Sequence, residues 1–266
     1  MGHRVGFVPT MGALHDGHLA LVSEARSQGA SFVAVSLFVN PTQFGPSEDF
    51  TRYPRTFDQD FARCRDAKVD VLFAPQREAM YPPGFSSVVE VKGLTDVLEG
   101  VHRPGHFAGV ATVVCKLFGL AAPCVAVFGR KDYQQWKVVE RMTRDLDLPV
   151  EIAAMPTVRE PDGLALSSRN RYLSPEERER ALGIARGIRA AMHAFDEGER
   201  KAASLLSLAR AEIEPAFDAI DYVAIADADT LQPLDRVEER ALLAVAAKIG
   251  KTRLIDNVVF GEDRVP

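Results

Sequence analysis

The feature that most constrains the fold is the alternation of short apolar segments with amphipathic segments through the first 155 or so residues. The apolar segments predict strands over residues 4–8, 32–39, 69–74, 124–128 and 150–154. Most are apolar along nearly their whole length, as is typical of parallel strands covered on both faces. The segments between them predict helices over residues 17–28, 57–67, 107–121 and 132–145. This alternation predicts an α/β fold, a Rossmann-like doubly wound parallel sheet.

One further segment and the second half of the chain have different patterns. Residues 87–92 alternate apolar with polar side chains, which indicates an element at the sheet edge. After about residue 160, helices predicted over residues 175–194 and 200–217 are followed by strands predicted over 222–226, 241–249 and 253–259. Ser174, followed by a proline and two glutamates, is typical of a helix start. We therefore predict two domains, residues 1–160 and a smaller α+β domain over residues 161–266.

Charge and hydropathy exclude several classes of partner. The 266 residues include 32 Lys and Arg against 37 Asp and Glu, a net charge of −5. Nucleic-acid binders usually carry a basic footprint, so we expect no nucleic-acid partner, although a local cationic pocket for phosphate is compatible with this total. The most apolar stretch, residues 110–129, is interrupted by Lys116, Gly119 and Pro123. We therefore expect no membrane span.

The cysteines indicate a reducing compartment. Cys64, Cys115 and Cys124 are odd in number, lack the spacing of metal ligands and lie among apolar neighbours. We interpret them as reduced core residues of a cytoplasmic protein. The first residues run directly into an apolar strand, without the pattern of a signal peptide, which agrees with that location.

The first candidate site is the segment FVPTMGALHDGH, residues 7–18, between the first strand and the first helix. In a doubly wound sheet, ligands bind at loops that leave the carboxyl ends of strands. Gly12 and Gly17 allow the backbone to approach a ligand, and free N–H groups at a helix start favour anions. His15 and His18 can both donate to phosphate oxygens there. Two other interpretations stay open: the histidines could bind a metal, or they could be capping or core residues.

Three further segments carry polar residues at comparable places. In FGRKDYQQ, Lys131 suits phosphate oxygens, Asp132 suits ribose hydroxyls and Gln135 could hold a substrate, although a helix cap beside a solvated Arg–Lys pair is equally compatible. DGLALSSRN offers two hydroxyls and a guanidinium to a phosphate chain, or is a serine-rich turn with a surface arginine. FVNPTQFG places Asn40 and Gln43 at the rim of the sheet, or is only a turn. Together the four segments predict a site for a nucleoside triphosphate.

These residues resemble the pantothenate synthetase family, the pantoate–β-alanine ligases of the His-x-Gly-His nucleotidyltransferase superfamily. The matching segments, in order from residue 7 to about 257, are FVPTMGALHDGH, FVNPTQFGPSEDFTRYPRT, EAMYP, RPGHFAGVATVV, FGRKDYQQW, DGLALSSRN and TRLIDN. The resemblance implies condensation of pantoate with β-alanine to give pantothenate, with ATP cleaved to AMP and pyrophosphate through a pantoyl adenylate. Family members usually have a longer segment before the first motif, and we expect that difference to lie outside the chemistry.

The resemblance also implies roles for individual residues. His18 and His15 would contact phosphates, with His18 in the catalytic role and Lys131 binding phosphate beside them. Ser167, Ser168 and Arg169 would grip the phosphates as the smaller domain closes. The remaining ATP contacts would come from Met11, Gly12, Gly17, Gly129, Asp132, Val158 and Leu166, with Met11 and Val158 at adenine and Gly129 and Asp132 at ribose. Pantoate and β-alanine would be bound by Gln43, Gln135 and Asn40.

Cofactor and assembly are likewise implied by the family. Mg²⁺ would be held largely by ATP oxygens, without named protein ligands. A homodimer is expected. The competing hypotheses are another small-molecule adenylyltransferase, a fragment of a class I aminoacyl-tRNA synthetase, and a non-catalytic nucleotide sensor. A synthetase fragment should carry a basic surface for tRNA, which the net charge of −5 does not favour.

Overall fold

The structure is a computed structural model that describes residues 2–46 and 48–266. The chain divides into two compact units. The first comprises Met1–Arg130 with Gln134–Met155, and the second comprises Lys131–Tyr133 with Pro156–Pro266. Relative to the predicted domains, residues 131–133 and 156–160 therefore group with the second unit.

The first unit is built on a five-stranded parallel sheet. Its strands are β1 (Val5–Thr10), β2 (Phe32–Leu37), β3 (Val71–Phe73), β4 (Cys124–Gly129) and β5 (Val150–Met155). They lie in the order β3-β2-β1-β4-β5, with every pair parallel. The order reverses between β1 and β4, so the loops at the carboxyl ends of these two strands flank the switch point where such sheets bind ligands. The predicted doubly wound sheet is confirmed.

Helices cover both faces of this sheet, which explains why its strands are apolar along most of their length. The helices are α1 (Asp16–Ser27), α2 (Phe57–Asp66), α3 (Arg77–Met80), α4 (Glu99–His102), α5 (His106–Ala121) and α6 (Tyr133–Asp145). Val8 on β1 packs in one cluster with Leu21 and Val22 of α1. The adjacent Phe7 packs with its ring centroid 6.5 Å from that of Phe118 on α5. Because successive strand residues point to opposite faces, β1 is buried on both sides.

The prediction of an edge element over residues 87–92 is wrong, because these residues form an irregular segment. The N–H of Val89 donates to the hydroxyl of Thr112 on α5 at 2.9 Å, so a helix side chain serves where a neighbouring strand was expected. An alternating pattern indicates one buried face, but it does not supply a pairing partner.

The second unit is a smaller α+β structure. Helices α7 (Pro175–Asp196) and α8 (Ala202–Ile213) precede the strands β6 (Ala219–Ala226), β7 (Ala241–Ile249) and β8 (Thr252–Phe260), which form an antiparallel sheet in that order. The predicted helix start is confirmed, since Ser174 Oγ accepts from the Glu177 N–H at 3.2 Å and the Glu177 carboxylate accepts from the Ser174 N–H at 2.9 Å. The predicted α+β class is confirmed.

The cysteines and the hydropathy agree with the sequence analysis. All three cysteines are free, with Cys64 and Cys124 buried and Cys115 half-buried. Burial raises the pKa of the Cys64 and Cys124 thiols to about 11, which keeps them protonated at neutral pH. Among the described residues, no helix is both long and apolar enough to cross a membrane.

Candidate active site

The loop between β1 and α1 is held in an unusual backbone conformation. Gly12 has φ of +85° and Ala13 has φ of +51°, so two consecutive residues lie in the left-handed region. A side chain is disfavoured there, which explains a glycine at the first position and requires outside support for the alanine at the second. The Gly12 N–H donates to Thr10 Oγ1 at 3.1 Å. This turn brings the chain to His15, which is extended and directly precedes α1.

The structure brings the two predicted histidines together at the start of α1. The ring centroids of His15 and His18 are 4.1 Å apart. The backbone N–H of His15 donates to Nδ1 of His18 at 3.2 Å. Since Nδ1 accepts this bond, a neutral His18 carries its proton on Nε2, where it can donate to another group. A helix start, where Gly17 is the second residue of α1, favours an anion as that group.

A buried carboxylate that the sequence analysis missed supports this loop. Asp60 on α2 is 3% exposed. Its Oδ2 accepts from the Ala13 N–H at 2.9 Å, and its Oδ1 accepts from the Leu14 N–H at 2.7 Å. The Thr56 hydroxyl donates to the same carboxylate at 3.2 Å. Asp60 therefore supplies the outside support that the left-handed Ala13 requires, and it lies more than 40 residues away in sequence.

The predicted residues Asn40 and Gln43 lie together in the loop after β2. Asn40 is 1% exposed, and its amide donates to Gln43 Oε1 and to the Gly109 carbonyl, both at 3.1 Å. Its oxygen accepts from the Tyr81 hydroxyl at 2.8 Å. Gln43 Nε2 lies 3.1 Å from the sulfur of Met11, the residue that precedes Gly12. The loops after β1 and β2 therefore meet through Gln43 and Met11, while the contacts of Asn40 are with the protein itself.

A second buried polar group, also missed by the sequence analysis, holds the backbone of Gln43. Nδ1 of His106 on α5 lies 2.8 Å from the Gln43 carbonyl oxygen, and its Nε2 lies 3.0 Å from the Arg103 guanidinium. Arg103 in turn forms two hydrogen bonds of 2.7 Å with the Glu48 carboxylate. Burial, and then the Arg103 charge, lower the pKa of His106 to about 4. His106 is therefore neutral at physiological pH and donates from Nδ1 to the Gln43 carbonyl.

The two consecutive glutamines after β4, Gln134 and Gln135, differ in their hydrogen bonds. Gly129 is the last residue of β4. The Gln134 side chain is buried and bonds three backbone groups, the Glu99 N–H and the carbonyls of Leu94 and Val97. Gln135 makes no side-chain hydrogen bond to any residue that the structure describes, which leaves its amide available to a ligand.

An open pocket adjoins Met11 and Gly12 in the first unit. Its lining residues include Arg55, Arg77 and Asp60. The sequence analysis did not select either arginine, because no periodicity or motif distinguishes them from surface arginines. The two arginines place positive charge beside the Asp60 carboxylate in this lining.

In the second unit, a hairpin brings together two predicted ATP contacts, Val158 and Leu166. Residues 158–166 fold back on themselves, and the Leu166 N–H donates to the Val158 carbonyl at 2.9 Å. Gly163, with φ of +98°, forms the turn. The hairpin leads into the 3₁₀ helix Ser168–Tyr172, where Ser167 Oγ accepts from the Arg169 N–H at 3.2 Å. Both serines and Arg169 therefore lie within one turn of chain.

Lys131 and Asp132 also belong to the second unit. They lie in the 3₁₀ helix Arg130–Asp132, with Lys131 Nζ 3.9 Å from the Asp132 carboxylate. The Lys131 side chain is 19% exposed, so it is positioned by its surroundings yet open to a ligand. Each unit thus presents a group of predicted ligand residues.

Comparison with known proteins decides the family. The sequence model of the pantoate-beta-alanine ligase family matches residues 1–259. The chain belongs to the pantoate-beta-alanine ligase family. Pantothenate synthetase 1 of Bradyrhizobium diazoefficiens is 58% identical over 258 residues, which cover 97% of this chain and 90% of that protein. The pantothenate synthetase of Moorella thermoacetica is 54% identical over 260 residues, or 97% of this chain and 92% of that protein.

Solved structures of the family have the same fold. The crystal structure of pantothenate synthetase from Thermus thermophilus matches with a TM-score of 0.93 at 51% identity, over 96% of this chain and 92% of that one. Pantoate-beta-alanine ligase from Francisella tularensis, in complex with beta-gamma ATP and beta-alanine, matches with a TM-score of 0.81 at 35% identity, over 99% and 92%. The predicted family and enzyme class, an AMP-forming ligase, are confirmed. The roles of individual residues stay predictions.

Proposed function

We propose that this chain condenses pantoate with β-alanine in two steps, the first of which uses ATP as co-substrate. In the first, a pantoate carboxylate oxygen attacks the α-phosphorus of ATP, and the bond to pyrophosphate breaks. In the second, the neutral amine of β-alanine attacks the activated carbonyl carbon, AMP departs with the bonding electrons, and the nitrogen loses a proton. The order follows from chemistry, because a free carboxylate does not accept an amine until its oxygen becomes part of a good leaving group.

The observation that carries this proposal is the pair of histidines at the start of α1. We assign to the Nε2–H of His18 a hydrogen bond to a phosphate oxygen, where negative charge grows during attack on the α-phosphorus. His15 contacts the same phosphate chain, and the free N–H groups of the helix start add to the field. Donors fixed before the reaction stabilise the transition state without reorganising, which is why the support of this loop by Asp60 matters.

The remaining ATP contacts divide between the two units. In the first unit, Met11 and Gly129 contact the adenosine. Gly12 and Gly17 allow the backbone to approach ATP closely. In the second unit, Lys131 and the segment Ser167–Arg169 bind phosphate, and Asp132 binds the ribose. Val158 and Leu166, joined at the base of the hairpin, contact the adenine side. These assignments follow the family resemblance.

Pantoate and β-alanine are bound by the first unit in this proposal. The free side-chain amide of Gln135 and the side chain of Gln43 hold the hydroxyls and carboxylate of pantoate. Asn40 has its amide and its oxygen engaged by the protein, so its contribution is to fix Gln43. This division would place the acid acceptor beside the histidines of the same unit.

We propose that Mg²⁺ enters as the counter-ion of ATP. Within residues 2–46 and 48–266, no group of three or more His, Cys, Asp or Glu side chains is arranged to hold a metal ion. The proposed ligand residues are histidine, lysine, arginine and serine, which suit phosphate oxygens rather than a cation. Magnesium commonly keeps waters and substrate oxygens as ligands, which agrees with this assignment.

Isotope exchange tests the proposed reaction. The folded enzyme is expected to exchange labelled pyrophosphate into ATP when pantoate is present and β-alanine is absent. Exchange that is independent of pantoate, or activated by another acid in its place, would favour a different adenylyltransferase. Absence of any exchange in folded protein that binds ATP would indicate a nucleotide sensor.

We further propose that the enzyme is a homodimer in the cytoplasm. The three free thiols suit a reducing compartment. Light scattering of the purified protein tests the dimer, for which a mass of twice 29.1 kDa is expected. Fractionation of cells, with detection of the native protein, tests the location.

A further inference from the structure

The last segment that resembles the family, TRLIDN at residues 252–257, has no role in the proposed reaction. It forms most of β8, and its final residues Asp256 and Asn257 are only 4% and 5% exposed. Two adjacent polar side chains in the interior of a strand are costly unless they are hydrogen-bonded. Their partners therefore show what the segment holds in place.

Asn257 holds the backbone of the predicted phosphate lysine. Its amide nitrogen donates to the Lys131 carbonyl oxygen at 2.7 Å. A second anchor follows two residues later, where the Tyr133 hydroxyl donates to the Ala228 carbonyl at 2.9 Å. These bonds explain why residues 131–133 group with the second unit. They also fix the Cα position from which the Lys131 side chain extends.

Asp256, the preceding residue, holds the hairpin. Its carboxylate accepts two hydrogen bonds from the Arg159 guanidinium, at 2.6 and 2.9 Å. The same guanidinium donates to the Gly163 carbonyl at 3.0 Å, across the turn of the hairpin, and to the Asn257 carbonyl at 3.1 Å. A bidentate pair of this kind fixes orientation as well as distance. Arg159 thereby ties both arms of the hairpin to β8.

We propose that Asp256 and Asn257 are positioning residues for ATP. Adjacent residues of one strand set the place of both ATP-binding segments of the second unit, the Lys131 turn and the hairpin that leads to Ser167–Arg169. Neither residue is assigned a substrate contact, so each acts through the segment that it holds. The inference rests on the phosphate role proposed above for Lys131. It implies that ATP binding depends on β8, whereas pantoate and β-alanine binding do not.

The decisive variant is Asn257→Ala, measured by steady-state kinetics with each substrate varied in turn. Loss of one short buried hydrogen bond should raise the KM for ATP about tenfold. The KM values for pantoate and β-alanine should stay within about twofold, since Gln43 and Gln135 belong to the first unit. The ATP-induced rise in melting temperature should shrink in parallel. A lower melting temperature with an unchanged KM for ATP would show a purely structural role and overturn the proposal.

A matched control comes from the same sheet. Asp221 on β6 pairs with Arg253 at 2.6 Å and with Lys248 at 3.2 Å, and neither partner belongs to an ATP-binding segment. Asp221→Asn should lower stability and leave the KM for ATP unchanged. An equal rise in the KM for ATP in this control would overturn the proposal, because any weakening of the sheet would then have the same effect.

Two further variants test the same roles, one at Asn257 and one at Lys131. If Asn257→Ala does not fold, Asn257→Ser keeps a small polar group that is too short to reach the Lys131 carbonyl, and it should show the same loss specific to ATP. Lys131→Ala tests the phosphate role of Lys131 separately from the positioning role of Asn257. An unchanged KM for ATP in Lys131→Ala would refute the phosphate role of Lys131. A raised value there, with an unchanged value in the Asn257 variants, would refute the positioning role alone.

Discussion

The loop over residues 11–15 and the hairpin over residues 158–166 both present predicted ATP contacts, but they are held by different chemistry. Two backbone N–H groups of the loop donate to the buried carboxylate of Asp60, with which none of the described residues forms an ion pair. The hairpin is held by guanidinium groups. Arg159 pairs with Asp256, and Arg178 pairs with the Glu160 and Asp162 carboxylates at 2.5 and 2.7 Å.

This difference predicts different responses to mutation. A lone buried acceptor cannot be replaced, because its loss leaves two backbone N–H groups unsatisfied in the interior. Several guanidinium–carboxylate pairs stabilise the hairpin together, and salt weakens the half-exposed ones. We therefore expect the loop to be fixed and sensitive, and the hairpin to be tolerant except at its buried anchor on β8.

The largest expected effect is on catalysis, in His18→Ala. Removing a donor aimed at developing charge should lower kcat by about 10²–10³-fold. The melting temperature should change by only a few degrees, because the left-handed turn is held by Asp60 and not by this imidazole. Steady-state kinetics and thermal unfolding of the same preparation check both values. His193→Ala, at an exposed position of α7, is the matched control.

A large loss of stability with little loss of turnover in His18→Ala would instead mean that the bond from the His15 N–H to Nδ1 is the main role of His18. The histidines would then stabilise the loop together with Asp60. The assignment of Nε2 to a phosphate oxygen would fall with that result.

The second effect is on the loop itself, in Asp60→Asn. The amide keeps one acceptor but turns an N–H₂ group toward a backbone N–H, which should lower the free energy of unfolding by about 2–4 kcal/mol. The kcat should also fall, because the left-handed turn before His15 loses its support. Urea unfolding and kinetics measure the two effects. Asp58→Asn, an exposed position two residues earlier on α2, should change neither.

Much of the fold could be predicted because it depends on local pattern. Continuous apolar runs indicated a sheet covered on both faces, and Phe7 and Val8 do pack on opposite sides of β1. Ser174 and Glu177 form the predicted cap, since capping bonds join residues three apart. The motif at residues 7–18 located the histidines, because a strand followed at once by a helix fixes where the loop lies.

The parts that could not be predicted depend on long-range contacts. Asp60 has no distinguishing pattern in its helix, and its partners lie 46 and 47 residues away. Asn257 contacts Lys131 across 126 residues. Residues 87–92 show the opposite failure, where a local alternation had no strand to pair with and the backbone found a threonine hydroxyl. A single sequence shows which residues are polar, but not which of them share an interior.

The third effect is a pH dependence that belongs to the first unit. His106 titrates near 6.5 in the unfolded chain, whereas burial lowers its pKa to about 4 in the folded protein. Between these values the unfolded state binds more protons, so stability falls as the pH falls from about 6.5 to 4. The contribution is roughly 3 kcal/mol, fully present above pH 6.5.

Urea unfolding at several pH values, for the native chain and for His106→Gln, isolates this contribution. The glutamine can still donate to the Gln43 carbonyl but does not titrate, so its stability curve should be flatter in that range. Parallel curves for the two proteins would mean that His106 is not held neutral. The loop of Gln43 would then not be held by a buried neutral imidazole, and its support would differ from that of the loop held by Asp60.

The smallest expected effect is on the outer ion pairs of the hairpin, in Arg178→Met, which keeps most of the aliphatic stem. The guanidinium and its two carboxylates are 28–41% exposed, so their loss should cost about 0.5–1 kcal/mol at low salt. In about 1 M salt, where screening acts within about 3 Å, the difference from the native chain should vanish. Urea unfolding at both salt concentrations measures it. Arg186→Met, whose ion pairs with Glu179 and Glu212 lie outside the hairpin, shows what exposed pairs on the same helix contribute. A cost of several kcal/mol that persists in salt would mean that the hairpin, like the loop, depends on single irreplaceable groups, and the contrast between the two segments would no longer hold.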